Sequence, residues 1–361
     1  MRRMILVALL VAAASAALGG AVITVVRRSA AAPDCAGGLS IDAQCFAARY
    51  EALTRSAGVQ VALADLTERR KANPYLIAAC HQLTHVIGRA AGELNGKAAF
   101  RQGTNVCSSG YYHGVTEAVM TRIGREHILE RAQTVCAEQR ESQPHSYAHY
   151  NCVHGTGHGF MSVFGSDVFK SLAGCDTLLD PWEQGHCFGG VFMENLTASE
   201  SPTRRSTQLR PQEPLYPCTA VAERHKPACY AQQTSYALYV RNDDFSAVFV
   251  LCRDDADRGF RAACYEGLGG DAAVRTSKYV IGATAQAHTV RTLCIRAPDD
   301  EARAHCIVGA VTTIVRDLAG NDEPARALCT AIDERRLNAV CETARLDTLS
   351  RFAGQEPAHH H

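Results

Sequence analysis

The segment with the clearest chemical potential is residues 152–160, which reads Cys-Val-His-Gly-Thr-Gly-His-Gly-Phe. It places His154 and His158 four residues apart, shortly after Cys152. Residues four apart lie on the same face of an α-helix, so a helix here would aim both imidazoles in one direction. Imidazole nitrogen is a common ligand of zinc, copper, iron and nickel. The spacing therefore predicts two ligands of one transition-metal ion.

Two earlier segments repeat this arrangement. His81 and His85 follow one cysteine, and His113 and Glu117, with a carboxylate in place of the second imidazole, follow another. Eight of the fifteen histidines lie between residues 81 and 158, so the enrichment is local and needs a local cause. The predicted metal ligands are His81, His85, His113, His154, His158 and, as a weaker candidate, His186. Glu117 and Glu194 are predicted to be carboxylate ligands or the general base.

Other histidines fit the pattern less well. A single pair of histidines four residues apart is more often a structural or surface feature, and only the recurrence in three segments favours a metal site. His145 and His149 are also four apart, but on a continuous helix His149 points about 140° away from His154. We expect both to lie on the surface or behind the ligands. His127 is expected in a solvated turn.

The N-terminal stretch from residue 4 to residue 26 is apolar and has two arginines at each end. It is long enough to span a bilayer as a helix, which takes about 20 residues. A cleaved signal peptide is the alternative, since Ala14-Ser15-Ala16 resembles a cleavage site. Residues 1–28 are therefore predicted to be a membrane anchor or signal segment. Either way, the bulk of the chain is expected in the periplasm or outside the cell, in the first case as a single-pass membrane protein.

The sixteen cysteines contain no C-x-x-C pair, which excludes zinc ribbons, thioredoxin-like motifs and c-type haem attachment. In an oxidising compartment an even set of this kind indicates disulfides. From Cys152 onward, one cysteine of each pair recurs at steps of 35, 42, 35, 42 and 35 residues. The predicted pairs are Cys136–Cys152, Cys175–Cys187, Cys218–Cys229, Cys252–Cys264, Cys294–Cys306 and Cys329–Cys341, with Cys35–Cys45 and Cys80–Cys107 as the simplest assignments for the rest.

Regular steps of this length are typical of stacked helical repeats. The predicted fold is all-α, with disulfide-stapled αα-hairpins stacked as a solenoid-like array. Glycine follows the cysteine by three residues in five repeats, which would let neighbouring helices approach closely. These glycines are Gly110, Gly155, Gly190, Gly267 and Gly309. The predicted layout is a linker at 29–44, N-terminal repeats with the histidines at 45–200, a loop at 201–217, C-terminal repeats at 218–352 and a tail at 353–361.

Three classes of function fit these observations. The first is a metal-dependent enzyme, an oxidoreductase or hydrolase, that uses one or two ions of iron, copper or zinc to activate water or dioxygen. The second is an envelope metal carrier or sensor, and the third is a helical scaffold that binds a peptide or protein. The enzyme is favoured because unusual polar residues occupy inner-helix positions in the first repeats only, whereas the later repeats have ordinary apolar residues there. With 37 basic and 37 acidic residues, nothing indicates nucleic-acid binding.

Overall fold

The computed structural model describes residues 35, 43–197, 206–254, 256–280, 282–317 and 322–352. These residues form helices and turns and contain no strand, so the all-α prediction is confirmed. Three short 3₁₀ segments lie at Gly96–Gln102, Glu223–His225 and Arg258–Phe260. The α-helices are α1 (Ala43–Ala57), α2 (Val59–Arg69), α3 (Pro74–Ala78), α4 (Cys80–Asn95), α5 (Gly110–Ile123), α6 (Ile128–Val135), α7 (Ala137–Ser142), α8 (Tyr147–Val163), α9 (Val168–Cys175), α10 (Pro181–Thr197), α11 (Lys226–Val240), α12 (Phe245–Asp254), α13 (Arg261–Tyr279), α14 (Ala283–Ile295), α15 (Asp300–Asp317), α16 (Glu323–Thr330) and α17 (Arg335–Phe352).

All sixteen cysteines are paired, and the eight disulfides are the eight predicted pairs. The C-terminal bridges join a short helix to the long helix that follows it. Cys294 of α14, for example, is bonded to Cys306 of α15 across a separation of 12 residues. The cysteine spacing therefore correctly predicted the positions of the helical hairpins.

Removing one of these bridges will destabilise the protein measurably. The double variant Cys294→Ser with Cys306→Ser should lose about 3 kcal/mol of unfolding free energy, because a short closed loop no longer restricts the unfolded chain. Urea unfolding followed by circular dichroism measures this loss. The equivalent double variant of Cys329 and Cys341, which closes a loop of the same 12-residue separation, should lose a similar amount. A loss near zero for both variants would contradict a stapling role.

The long helices pack against one another in chain order. Helix α4 packs on α5, α5 on α8, α8 on α10, α10 on α11, α11 on α13, α13 on α15 and α15 on α17. The short helices α9, α12, α14 and α16 each pack on the long helix that follows. Equivalent faces of successive long helices therefore come next to each other, which is the condition for side chains from separate repeats to meet.

Glycine sets how closely the long helices approach. A Cβ atom at Gly190 of α10 would lie 1.9 Å from the carbonyl oxygen of His154 in α8. At Gly309 of α15 the same atom would lie 1.9 Å from the carbonyl oxygen of Glu266 in α13. The other three predicted glycines, Gly110, Gly155 and Gly267, would also place a Cβ within 2.7 Å of an atom of a neighbouring helix. The prediction that these glycines permit close packing is confirmed.

The C-terminal long helices also reach the N-terminal ones. Ser108 Oγ, just before α5, donates a hydrogen bond of 3.3 Å to Asp317 Oδ2 at the end of α15. The guanidinium carbon of the adjacent Arg316 lies 6.0 Å from the ring centroid of Tyr150 in α8. Residues from the end of α15 are therefore neighbours of the helices that carry the histidines.

The predicted membrane segment at residues 4–26, the predicted tail at 353–361 and most of the predicted linker at 29–44 lie outside the described residues. The first described helix begins at Ala43. Among the helices that the structure describes, none is long and apolar enough to cross a membrane.

Candidate metal centre

Five imidazoles from three long helices meet in one cluster. Neighbouring ring centroids lie 4.8–5.3 Å apart. Four of the rings are buried, and the ring of His81 is half-buried. The five residues are His81 and His85 of α4, His113 of α5, and His154 and His158 of α8, which we call the five-histidine cluster.

Three of these rings have an oxygen acceptor behind them. His81 Nδ1 lies 2.9 Å from the carbonyl oxygen of Cys107. His85 Nδ1 lies 3.0 Å from Glu117 Oε1, and His158 Nδ1 lies 2.9 Å from Glu194 Oε2. Because carbonyl and carboxylate oxygens only accept, each Nδ1 carries the hydrogen and donates it, which leaves a lone pair on each Nε2. Metal-bound histidines are normally held in this way.

The lone pairs of His81 and His85 point at each other. Their Nε2 atoms are 3.1 Å apart, and His85 Nε2 is 3.2 Å from His113 Nδ1. Two nitrogens that both bind one ion at about 2.0–2.1 Å are about 3.0–3.4 Å apart, as simple geometry requires. A shared proton is the other way to relieve the repulsion, but burial lowers the pKa of both His81 and His85 and disfavours it. The spacing therefore suits a cation.

Three further ring nitrogens of the cluster have no hydrogen-bond partner. The Nε2 atoms of His113, His154 and His158 are all buried and unpaired. A buried polar atom without a partner costs about 1–3 kcal/mol, so three together call for an explanation. Metal coordination would satisfy all three.

The candidate ligand atoms fall into three overlapping groups, each with its atoms within 4.8 Å of one another. One group is His81, His85 and His113, the second is His113, His154 and His158, and the third is His85, Glu117 and His158. Burial, and then the neighbouring imidazoles, lower the pKa of His113 and His154 well below the usual range. The rings of His113 and His154 are thus neutral, which is the form that binds metal.

Glu117 is buried and has both oxygens engaged. Its Oε1 accepts from His85, and its Oε2 accepts from Arg89 Nε and Nη2 at 3.0 and 2.8 Å. Burial alone would raise the pKa of Glu117, but the Arg89 charge and the His85 hydrogen bond together hold it below the usual range. Glu117 is therefore an ionised group that orients His85. Its predicted role as a ligand or base stays a prediction.

Glu194 accepts a hydrogen bond from His158, as Glu117 does from His85. It is 9% exposed, and its Oε2 also accepts from Thr197 Oγ1 at 3.2 Å. Both predicted carboxylates thus lie beside the cluster, each hydrogen-bonded to one ring. The predicted role of Glu194 as a carboxylate ligand or general base stays a prediction.

His186 lies beside the cluster rather than among the five rings. Its ring contacts Trp182 at 4.3 Å and Tyr150 at 4.9 Å, and Tyr150 in turn contacts His154 at 5.7 Å. Burial lowers the pKa of His186 to about 4. His149, which we expected behind the ligands or at the surface, is buried and bonds through Nε2 to Glu183 Oε1 at 3.0 Å.

The His158–Glu194 pair belongs to a longer repeat that was not recognised from the cysteine spacing. The same positions recur 77 residues later as Ser235 and Asp271, and 77 residues after that as Thr312 and Thr348. Each pair is 36 residues apart and joined by a side-chain hydrogen bond. The alternating steps of 35 and 42 residues contained this period, because one step of each kind makes 77. In the later repeats a hydroxyl side chain stands at the position of the imidazole.

No protein-family model, curated protein or solved structure matches this chain. The cluster is therefore interpreted from its own geometry.

Exchanging the carboxylate behind His85 should weaken metal binding without removing a ligand. In Glu117→Gln the amide oxygen still accepts from His85, but the charge that pairs with Arg89 is lost. We expect metal affinity to fall about 10–100-fold, the usual effect of losing a group that supports a ligand. Competition with a chromophoric chelator measures it. The matched control is Glu138→Gln, which removes an exposed pair with Arg101 and should leave affinity unchanged.

Proposed function

We propose that this chain is an exported, membrane-anchored, metal-dependent enzyme whose centre is the five-histidine cluster. The observation that carries the proposal is the set of lone pairs that converge there. Two nitrogen pairs are 3.1 and 3.2 Å apart, and three further buried nitrogens have no partner. A purely structural cluster would hydrogen-bond the acceptor nitrogens of His81 and His85 rather than place them face to face.

The donor set restricts the metal. With both carboxylates hydrogen-bonded to rings, imidazole nitrogens dominate, which suits copper, zinc or iron. His113 belongs to two of the ligand groups, with Nδ1 toward His85 and Nε2 unpaired. One ion fits if His113 uses one nitrogen, and two ions fit if it uses both.

Such an ion would supply either Lewis acidity or redox capacity, hence a hydrolase or an oxidoreductase. The chain's own residues perform the supporting steps. Glu117 and Glu194 fix the rings of His85 and His158, and the buried helices exclude water from four of the five imidazoles. His81, the half-buried member, marks the side from which a substrate would approach.

Export and the overall architecture belong to the same proposal. Eight disulfides support export, since disulfides persist in oxidising compartments. Membrane attachment through residues 4–26, and a location of the remainder in the periplasm or outside the cell, rest on the sequence alone. The packing of long helices in chain order supports a solenoid-like array of repeats.

A metal carrier or sensor is the second candidate. Burial of four of the five imidazoles favours it, because a carrier needs no open coordination position. A scaffold that binds a peptide or protein is the third, and it requires no metal at all.

One experiment distinguishes the enzyme, the carrier or sensor, and the scaffold. Protein prepared without the His359–His361 run is loaded with Co²⁺ or Cu²⁺, analysed for metal, and titrated with azide. If the chain is an enzyme, we expect at least one bound ion per chain and a spectrum that changes when azide is added. Tightly bound metal without an azide response would indicate a carrier, and the absence of metal after reconstitution would leave the scaffold.

A further inference from the structure

The carbonyl oxygen that orients His81 belongs to a disulfide-bonded cysteine. His81 Nδ1 lies 2.9 Å from the carbonyl oxygen of Cys107, and Cys107 is bonded to Cys80, the residue that precedes His81. With its Nδ1 held in this way, His81 has its Nε2 3.1 Å from His85 Nε2. His81 is also the half-buried member of the five-histidine cluster. The Cys80–Cys107 bridge therefore closes a covalent loop around the contact that positions this ring.

The backbone at Cys107 has an unfavourable conformation. Cys107, Ser108 and Ser109 all have positive φ, at 56°, 55° and 61°. L-residues with a Cβ rarely adopt this left-handed region, and they keep it only where the surrounding structure fixes them. The disulfide fixes one end of this segment, and at the other end Ser109 Oγ lies 2.6 Å from Tyr147 Oη. Opening the disulfide would let the segment relax and carry the Cys107 carbonyl away from His81.

The same bridge is accessible to a reductant. Cys107 is partly exposed, whereas every cysteine from Cys136 onward is buried. Arg70 Nη1 lies 3.5 Å from Cys80 Sγ and 3.3 Å from Cys107 Sγ. Because negative charge develops on the leaving sulfur during thiol–disulfide exchange, the guanidinium stabilises that step. Cys45 is the other partly exposed cysteine, but its helix α1 carries none of the five histidines.

We propose that the Cys80–Cys107 disulfide is a redox switch of the metal centre, opened by a dithiol. One sulfur of the dithiol attacks Cys107 Sγ as a thiolate, and Cys80 Sγ leaves with the electron pair of the S–S bond. The second sulfur then attacks the mixed disulfide and releases Cys107. The dithiol has lost two electrons and two protons and become a disulfide, and the protein has gained two thiols.

The opened switch acts on the ligand His81. Without the Cys107 carbonyl as acceptor, the ring no longer keeps its Nε2 directed at His85, so the affinity of the centre for its ion falls. Reoxidation of the two cysteines restores the acceptor and the affinity. This inference rests on the proposed function, because the switch controls the ion of that centre.

The test uses the full chain without its terminal histidines. The metal-free protein is treated briefly with dithiothreitol, the new thiols are alkylated, and peptide mapping identifies the opened bridges. We expect Cys80–Cys107 to open before the buried pair Cys294–Cys306. After removal of the dithiol, chelator competition should give a Co²⁺ affinity about 10–100-fold below that of the untreated protein, the usual effect of losing a group that supports a ligand. The double variant Cys80→Ser with Cys107→Ser should show the same loss without any reagent.

A His81→Ala background distinguishes the switch from a general loss of stability. In that background, replacing Cys80 and Cys107 by serine should lower the affinity by no more than about twofold, because the ring that the bridge positions is already gone. The double variant Cys35→Ser with Cys45→Ser is the control for another accessible bridge. It should keep the wild-type affinity.

Three results would overturn the switch while the metal centre stands. They are an unchanged Co²⁺ affinity after Cys80–Cys107 has opened, an equal loss of affinity in the His81→Ala background, and opening of the buried Cys294–Cys306 pair first. If the wild type binds no Co²⁺, the proposed function falls and this inference falls with it. Should the serine double variant unfold, the selectively reduced and alkylated wild type supplies the same comparison.

Discussion

His113→Ala will lose most of its metal, because His113 is shared by two of the three ligand groups and sits between the rings of α4 and α8. Its removal takes Nδ1 away from His85 Nε2 and leaves the group with His154 and His158 one ligand short. We expect affinity to fall by more than the roughly 10–100-fold caused by loss of a supporting group. Elemental analysis after gel filtration, together with chelator competition, measures the change. His158→Ala should behave in the same way.

The fold should survive both substitutions, because the disulfides constrain the chain independently of the ion. Circular dichroism and urea unfolding check this. The matched control is His288→Ala on the exposed face of α14, which should keep its metal. His186→Ala tests the weaker ligand candidate and shows whether the residue beside Tyr150 contributes. Full metal occupancy in both His113→Ala and His158→Ala would overturn the enzyme and carrier proposals and favour the scaffold.

The disulfides were predictable because of their regularity. Pairs such as Cys252–Cys264 and Cys294–Cys306 repeat the same 12-residue separation, which a helical hairpin explains. The five-histidine cluster was predictable for a related reason, since equivalent positions on successive packed helices face the same side. Helix periodicity and repeat length together therefore bring His85, His113 and His158 into one neighbourhood.

The position of His186 was harder to predict. It precedes its cysteine, and it lies eight residues before Glu194 on α10, which corresponds to about 12 Å along a helix axis. Glu194 is at the level of His158, so His186 is displaced along the helix toward Tyr150 and Trp182. Cysteine spacing gives the register between repeats but does not say how far each side chain lies from the centre.

The supporting charges depend on tertiary contacts that no local pattern encodes. Arg89 is an ordinary helix residue in the sequence, and only the contact between α4 and α5 pairs it with Glu117. Arg316 reaches Tyr150 because the end of α15 lies beside the start of α5, where Ser108 bonds to Asp317. The repeat spacing did not indicate that the C-terminal repeats contact the N-terminal ones.

Gly190→Ala will be among the most damaging single substitutions outside the ligands. The added Cβ would lie 1.9 Å from the carbonyl oxygen of His154, a backbone atom that cannot rotate away. Helices α8 and α10 must separate, so we expect a loss of about 3 kcal/mol or more of unfolding free energy, the upper range for overpacking. Because His154 would move with α8, metal affinity should fall as well. Urea unfolding and chelator competition measure the two effects.

Two control variants, Gly185→Ala and Gly309→Ala, test whether the effect of Gly190→Ala comes from the contact between α8 and α10. Gly185→Ala is on the same helix with nothing within 4 Å of the added Cβ, so it should be neutral or stabilise by up to about 1 kcal/mol through helix propensity. Gly309→Ala meets the carbonyl oxygen of Glu266 at the same 1.9 Å but lies between α13 and α15. It should lose similar stability and keep its metal, since the helices that carry the five histidines do not move apart. If Gly309→Ala also lost its metal, the centre would depend on the whole array rather than on the α8–α10 contact. Wild-type stability in Gly190→Ala would show that close helix approach is not what this glycine provides.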